Sequence, residues 1–163
     1  VNAWLATPVS VEALLAVQQP IVRALLPDAS ALPSAQELVA HCHSRGIPMA
    51  LVTSSSRVAV EFKSRPHPWL EQIRERVYGD DPDLAAGKPD PAPFLLAAQR
   101  LGLNPQHCWA LEDSQAGSQS AHRAGCQVWL VNASGSSDPD FTTNPCEINS
   151  LAVVLKLLIS TDG

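Results

Sequence analysis

Three short polar segments carry the residue types that could hold a phosphate group and a divalent cation. They are a run of hydroxyl side chains, an isolated lysine between glycine and proline, and an adjacent pair of carboxylates: Thr53 to Ser56, Gly87-Lys88-Pro89 and Glu112-Asp113. Hydroxyls and free backbone N–H groups bind phosphate oxygens, and an ammonium neutralises phosphate charge. Carboxylate oxygens suit Mg²⁺. The three segments together predict a site for phosphoryl chemistry.

The elements around these segments predict that they meet at one edge of a sheet. The apolar run from Ile47 to Thr53 is typical of a buried strand, and Cys108 to Leu111 is a second strand directly before Glu112. In open parallel sheets, ligands bind beyond the carboxyl ends of the strands. We therefore expect the Thr53 hydroxyl, the Ser54 N–H and the carboxylate pair to face one site.

The remaining pattern alternates helices of about ten residues with short strands, which predicts an α/β fold with a parallel sheet. Pro20 is expected to bend or split the first helix, and residues 133–147 are expected to be the least ordered stretch. The predicted helices span 10–26, 34–45, 55–64, 69–76, 91–101, 114–124 and 151–159. The predicted strands span 47–53, 77–78, 108–111 and 127–131.

Each segment also has a purely structural interpretation. The hydroxyls after Val52 could cap the next helix, Lys88 could be an exposed solubilising lysine, and Asp113 or Ser114 could be an N-cap. Two arguments favour chemistry. A cation near a helix start is unfavourable without an anion nearby, and adjacent carboxylates repel each other unless a cation or hydrogen bonds compensate.

Composition narrows the class of protein. The 163 residues carry a net charge of −5, which argues against nucleic acid as a partner. No apolar run approaches the roughly 20 residues that cross a bilayer. The four scattered cysteines read as reduced thiols of a cytoplasmic protein. A metal site at His41-Cys42-His43 is unfavourable because neighbouring helix positions point in different directions.

The motifs resemble those of the haloacid dehalogenase-like (HAD) hydrolases, in the branch with phosphoglycolate phosphatase, β-phosphoglucomutase and pseudouridine-phosphate phosphatase. The resemblance covers roughly residues 32–131 and rests on three stretches of this chain: Ala50-Leu51-Val52-Thr53, Gly87-Lys88-Pro89-Asp90-Pro91 and Leu111-Glu112-Asp113-Ser114-Gln115-Ala116-Gly117. It implies a three-layer Rossmann-like HAD core. It also implies hydrolysis of a small phosphorylated metabolite through an aspartyl-phosphate.

The resemblance implies a role for each candidate residue. Thr53 and the Ser54 backbone would bind phosphate, and Lys88 would neutralise the phosphate and the nucleophile. Glu112 and Asp113 would hold Mg²⁺.

One family motif has no counterpart here, namely the strand that ends in the aspartate nucleophile. Asp81-Pro82-Asp83 and Asp138-Pro139-Asp140 have its aspartate spacing, but neither follows an apolar strand or precedes glycine. In the family this strand lies between those that end at Thr53 and Glu112. We therefore expect an N-terminally incomplete, inactive hydrolase with a cap remnant over 1–30 and a core over 31–163.

Two other interpretations stay open at this point. The chain could be a non-catalytic module that binds an anion or another protein, or, less in keeping with its motifs, a phosphoacceptor signalling domain. Hydrolase or mutase activity, the substrate and the oligomeric state are not decided by the sequence.

Overall fold

A computed structural model of the chain describes residues 9–25, 29–137, 139–140 and 142–161. The chain divides into two compact units, Val1–Ser30 and Ala31–Gly163. The described part of the first unit holds helix α1 (Val11–Leu25), which continues through Pro20, so the proline does not split it. Within the described residues, none of the helices combines the length and the apolar character required to cross a lipid bilayer.

The second unit alternates helices and short strands. Its helices are α2 (Ala35–Ser44), α3 (Arg57–Ser64), α4 (Ala92–Leu101), α5 (Gln115–Arg123) and α6 (Leu151–Thr161). Its strands are β1 (Ala50–Val52), β2 (Glu75–Val77), β3 (Trp109–Glu112), β4 (Gln127–Ser136) and β5 (Cys146–Ile148). Two short 3-10 helices, Pro68–Gln72 and Pro105–His107, lie between them.

The strands pair in parallel throughout, in two separate groups. β1 pairs with β2, and β3 pairs with β4, which in turn pairs with β5. Among the described residues, no strand joins β1 to β3. The predicted parallel α/β architecture is therefore confirmed. The sheet consists of two parts, and among the described residues β1 and β3 each have one edge that pairs with no strand.

Helices cover both faces of the strands and give the fold three layers. Along β4, Val128 packs with Phe94 of α4 and Ala121 of α5, whereas Trp129 packs with Leu38 of α2 and Val154 of α6. Successive strand side chains point to opposite faces, so this alternation places α4 and α5 on one side and α2 and α6 on the other.

Two sequence-based expectations about the elements were wrong. Residues 69–76 do not form one helix, because a 3-10 helix ends at Gln72 and β2 begins at Glu75. The strand predicted over 127–131 continues to Ser136 as β4, and the strand β5 from Cys146 was not predicted. Strands of three residues carry too little periodicity to be distinguished from loops, and their pairing partners decide their conformation.

A cavity of about 610 Å³ lies between the two parts of the sheet. Consecutive residues of both β1 and β3 line it, so the unpaired strand edges face it. Side chains of the helices on both faces form its other walls: Leu38, Cys42, Phe94, Ala97, Val154 and Leu158. We call this cavity the inter-sheet slot.

Candidate active site

The ammonium of Lys88 connects the carboxyl ends of β1 and β3. It donates to the backbone oxygen of Val52 at 3.1 Å and forms an ion pair with Oε1 of Glu112. The Lys88 and Glu112 side chains are only 10% and 8% exposed. Lys88 is therefore not a solubilising surface residue. The fold brings the predicted lysine, the end of the Thr53 strand and one predicted carboxylate to one point.

Glu112 is held in place from its other side by the start of α5. Its Oε2 accepts from the Ser114 hydroxyl at 3.2 Å, and that hydroxyl also accepts from the Gly117 N–H at 3.0 Å. A Cβ on Gly117 would overlap the Glu112 carboxylate. Ser114 is therefore the N-cap of α5, as one structural interpretation predicted, and it also orients Glu112.

The loop after β1 presents two groups suited to a phosphate. Oγ1 of Thr53 accepts from the Ser55 N–H at 3.1 Å, so the Thr53 hydroxyl hydrogen can point to a ligand. The structure gives the Ser54 N–H no acceptor among the described residues. Ser56, not Thr53, caps α3 by accepting from the Ala59 N–H at 3.3 Å.

Gly79 supports this loop from β2. Its N–H donates to the Ser55 oxygen at 2.8 Å, and a Cβ at this position would overlap the Ser54 carbonyl. The close approach of two backbone segments requires a glycine here. The Gly79-Asp80-Asp81 stretch therefore has a supporting role next to the candidate phosphate site.

Asp113 is the more accessible of the two carboxylates. Its side chain is exposed and has no hydrogen bond or ion pair among the described residues. The described part of the chain contains no group of three or more His, Cys, Asp or Glu side chains able to hold a metal ion. The oxygen donors of Asp113 and Glu112 suit Mg²⁺, which keeps several water ligands and is typically bound through one or two carboxylates plus phosphate.

Sequence reasoning missed the side chains that hold the Lys88 loop. The Lys88 ammonium lies 5.1 Å from the centre of the Phe94 ring. The buried Ser120 hydroxyl donates to the Asp90 oxygen, and Nη1 of Arg123 donates to the Pro89 oxygen at 3.0 Å. Only the helical spacing of Ser120 and Arg123 on α5 hinted that they share one face.

The aspartates with nucleophile-like spacing have other partners. Arg100 binds Asp81 through two hydrogen bonds of 2.7 and 2.8 Å, and it binds Asp83 at 2.9 Å. The hydrogen bonds from Arg100 hold the pKa of Asp81 below its usual value. Asp81 is buried, so this aspartate does not lie in a solvated turn. Asp138 lies outside the described residues, and Asp140 accepts from the N–H and hydroxyl of Thr142.

Several cysteine, tryptophan and aspartate side chains outside the candidate site have structural roles. All four cysteines are free, and Trp109 packs edge-on against Trp129 at 5.1 Å between ring centres. Trp4 lies outside the described residues. Asp80 accepts from the Arg57 N–H at 2.8 Å at the start of α3, which is a capping role.

Known proteins share both the sequence and the fold of this chain. Hexitol phosphatase A of Escherichia coli is 43% identical over 108 residues, which are 64% of this chain and 47% of that protein. A probable pseudouridine-5'-phosphatase of Drosophila melanogaster is 36% identical over 128 residues, 76% of this chain and 55% of that protein. The chain therefore spans about half the length of these curated relatives.

Solved structures agree on the fold. The structure of CbbY from Rhodobacter sphaeroides in complex with phosphate gives a TM-score of 0.70 at 26% identity, covering 90% of this chain and 66% of that one. A putative β-phosphoglucomutase from Thermotoga maritima gives a TM-score of 0.76 at 23% identity, over 96% of this chain and 73% of that one.

A family model described as haloacid dehalogenase-like hydrolase matches residues 6–125, well over half of the chain. The three motifs, the three-layer parallel fold and this match agree with one another. The chain belongs to the haloacid dehalogenase-like hydrolases.

Proposed function

We propose that this chain forms the phosphate- and metal-binding part of a Mg²⁺-dependent phosphatase that acts on a small phosphorylated metabolite. The observation that carries the proposal is the position of Lys88, whose ammonium contacts both the Val52 carbonyl and the Glu112 carboxylate. A cation at the meeting point of two strand ends is placed to offset the charge of a phosphate group.

Each group has a defined role in this proposal. The Thr53 hydroxyl and the Ser54 N–H donate to phosphate oxygens, and Lys88 offsets their charge. Asp113 and the remaining oxygen of Glu112 would hold Mg²⁺, which would lower the repulsion between the phosphate and an incoming anion. We propose the same metal for the intact enzyme, together with a cytoplasmic location that fits four free thiols.

The proposed reaction proceeds through an aspartyl-phosphate. A carboxylate oxygen bonds to phosphorus, and the substrate oxygen leaves with its electron pair and takes up a proton. Water then cleaves the acyl phosphate and returns the carboxylate and inorganic phosphate. Glu112 is paired with Lys88, and Asp81 is paired with Arg100. The proposal assigns Asp113 to the metal, so none of these three described carboxylates is left for the first step. We therefore propose that this chain alone is inactive or nearly so.

The relatives support a class of substrate and no single compound. Hexitol phosphatase A and (DL)-glycerol-3-phosphatase 1 of Arabidopsis thaliana both match this chain, and their names refer to different phosphorylated metabolites. Substrate choice depends on contacts beyond the phosphate. The proposal therefore extends to small phosphorylated metabolites as a class.

Phosphate binding and turnover test the two parts of the proposal separately. We expect isothermal titration calorimetry to detect inorganic phosphate binding to the chain in the presence of Mg²⁺. We expect Lys88→Met to weaken this binding at least tenfold, because the mutation removes the positive charge at the phosphate. Lys156→Met is the matched control, since it removes an exposed lysine from α6. Absence of phosphate binding to the unmodified chain would contradict the proposed site.

Turnover of an aryl phosphate with Mg²⁺ tests whether this chain alone is inactive. We expect no hydrolysis above a buffer control, and hydrolysis that Lys88→Met abolishes would show that the chain holds its own nucleophile.

The lack of a described nucleophile also favours a second candidate, a module that only binds an anion. An engineered fusion distinguishes the phosphatase from the binding module. It joins an apolar strand that ends in Asp-x-Asp-Gly to the N-terminus through a long flexible linker. Gain of Mg²⁺-dependent turnover supports the phosphatase, whereas phosphate binding without turnover supports the module.

A further inference from the structure

The residues that follow β2 lie along the loop that follows β1, which we call the phosphate loop (residues 53–56). The Thr53 N–H donates to the Val77 oxygen at 2.9 Å, and the Gly79 N–H donates to the Ser55 oxygen at 2.8 Å. These two hydrogen bonds extend the contact between β1 and β2 beyond their last paired residues. The backbone of the phosphate loop is therefore held from the side of β2.

Asp80 extends this contact to the start of α3. Its Oδ1 accepts from the Arg57 N–H at 2.8 Å, although the two residues are 23 positions apart in the sequence. The Arg57 guanidinium lies over the Tyr78 ring, 4.5 Å from the ring centre. Arg57 is thus held through its backbone by Asp80 and through its side chain by Tyr78. The phosphate loop is therefore held at both of its ends.

The hydrogen bond from Arg57 to Asp80 also limits which N–H groups can bind a phosphate. The first N–H groups of a helix have no partner within the helix and attract anions. Asp80 accepts from the N–H of Arg57. The Ser56 hydroxyl accepts from the N–H of Ala59. The Ser54 N–H has no acceptor among the described residues, so these contacts direct a phosphate to it.

The negative charge of Asp80 by itself would oppose phosphate binding. Its carboxylate is exposed and lies next to a loop that is proposed to bind an anion, and like charges repel each other. The cap of a helix needs only an acceptor, which asparagine provides about as well as aspartate. A positioning role of Asp80 and the effect of its charge therefore change phosphate affinity in opposite directions.

We infer that Asp80 is a positioning residue for phosphate binding, because its hydrogen bond to the Arg57 N–H holds the phosphate loop with the Ser54 N–H directed at the ligand. The inference rests on the proposed function and adds a residue that does not itself touch the phosphate. A loop that is ordered before binding has less conformational freedom to lose when the ligand binds, and this preorganisation raises affinity.

Two substitutions at position 80 separate the geometry of the loop from the charge. Asp80→Ala removes both the acceptor and the charge, whereas Asp80→Asn removes the charge and keeps an acceptor. We expect calorimetry with inorganic phosphate and Mg²⁺ to show about threefold or weaker binding to Asp80→Ala, because the loop loses its cap. We expect Asp80→Asn to bind phosphate at least as tightly as the unmodified chain.

Asp83→Ala is the matched control for the removed charge. Asp83 belongs to the same loop between β2 and α4, and its carboxylate binds Arg100. We expect this variant to bind phosphate as the unmodified chain does. Urea unfolding of all three variants accompanies the titrations, so that a loss of folded protein is not taken for a loss of affinity.

Amide exchange gives a second measurement that does not require phosphate. Hydrogen–deuterium exchange with mass spectrometry reports on peptides that cover residues 53–58. We expect faster exchange of these peptides in Asp80→Ala, because the Arg57 N–H loses its acceptor. We expect Asp80→Asn to exchange as the unmodified chain does, since its side-chain oxygen accepts from the same N–H.

Three results would overturn the inference. Phosphate affinity of Asp80→Ala that equals or exceeds that of the unmodified chain would show that only the charge of Asp80 acts on the site. An equal weakening by Asp80→Asn would show that the acceptor is not what the site requires. Unchanged exchange of residues 53–58 in Asp80→Ala would show that Asp80 does not hold the loop. Absence of phosphate binding to the unmodified chain would instead contradict the proposed function, and the exchange measurement would still decide whether Asp80 orders the loop.

Discussion

The carboxylate of Glu112 occupies the space that a side chain at position 117 would need. A Cβ on Gly117 would overlap both carboxylate oxygens, while the same carboxylate forms the ion pair with Lys88. The glycine on α5 is therefore coupled to the lysine beside α4 through a single side chain. This coupling explains why the start of α5 carries a small residue directly over a buried charge.

Gly117→Ala should separate Glu112 from Lys88. The carboxylate is the flexible end of its side chain, so it is expected to rotate away and leave a buried ammonium without its anion. The loss of a charged hydrogen bond costs about 1–3 kcal/mol. Urea unfolding of both proteins measures this difference. Gly87→Ala is the control, because a Cβ there would meet no atom within 4 Å, and an equal effect of both substitutions would contradict the coupling.

The Asp81–Arg100 pair should make stability depend on acid pH. Hydrogen bonds from Arg100 lower the folded pKa of Asp81 from its ordinary value of 3.8, so the folded state binds its proton more weakly than the unfolded state. The stabilisation is then complete above about pH 4 and is lost as the pH falls through the folded pKa. Asp81→Asn should lower stability by about 2–4 kcal/mol at pH 7.

Urea unfolding at pH 7, 5, 4 and 3 checks the pH dependence, and the difference between the two proteins should shrink towards pH 3. Asp83→Asn is a suitable comparison, because Asp83 binds the same guanidinium but its side chain is 69% exposed. An exposed ion pair contributes about 0–1 kcal/mol. A constant difference across the pH range would show that Asp81 stabilises the chain by packing alone.

The sequence predicted the bounds of an element where a proline marks its start and a glycine marks its end. α4 begins after Pro91 and ends before Gly102, whose φ of 69° suits glycine, and both bounds were predicted. β5 was missed because Cys146–Ile148 follows a stretch rich in serine, proline and asparagine. The ion pair between Lys88 and Glu112 joins residues 24 positions apart. Spacing alone could place both at strand ends but could not show that they pair, because the pair depends on how β1, α4 and β3 pack.

Burial should make the thiol of Cys126 unreactive in the folded chain. Burial and the neighbouring Cys108 raise the pKa of Cys126 from 9.0 to about 11, and only the thiolate reacts rapidly with alkylating reagents. We expect iodoacetamide at pH 8 to label the partly exposed Cys108 first, whereas Cys126 reacts at a rate limited by unfolding. Mass spectrometry of digests measures both sites. Equal labelling rates for the two cysteines in the native chain would contradict this expectation.

The buried hydroxyl of Ser120 should position the Lys88 loop. It donates to the Asp90 oxygen from α5, and Asp90 in turn accepts from the Ala92 N–H at 2.9 Å at the start of α4. Ser120→Ala leaves the Asp90 carbonyl without this donor and should cost about 1–2 kcal/mol in urea unfolding. A change in phosphate affinity in calorimetry would show that the loss also moves Lys88.

Ser118→Ala provides the control for this prediction on the same helix. Ser118 is also buried, at 3% exposure, whereas the hydrogen bonds from α5 side chains to the Lys88 loop among the described residues come from Ser120 and Arg123. Both substitutions remove one buried hydroxyl from α5. If these hydroxyls contributed only to packing, the two variants would lose similar amounts of stability. We expect only Ser120→Ala to weaken phosphate binding, because only Ser120 connects α5 to the backbone that carries Lys88. Equal phosphate affinities of the two variants would restrict Ser120 to a structural role.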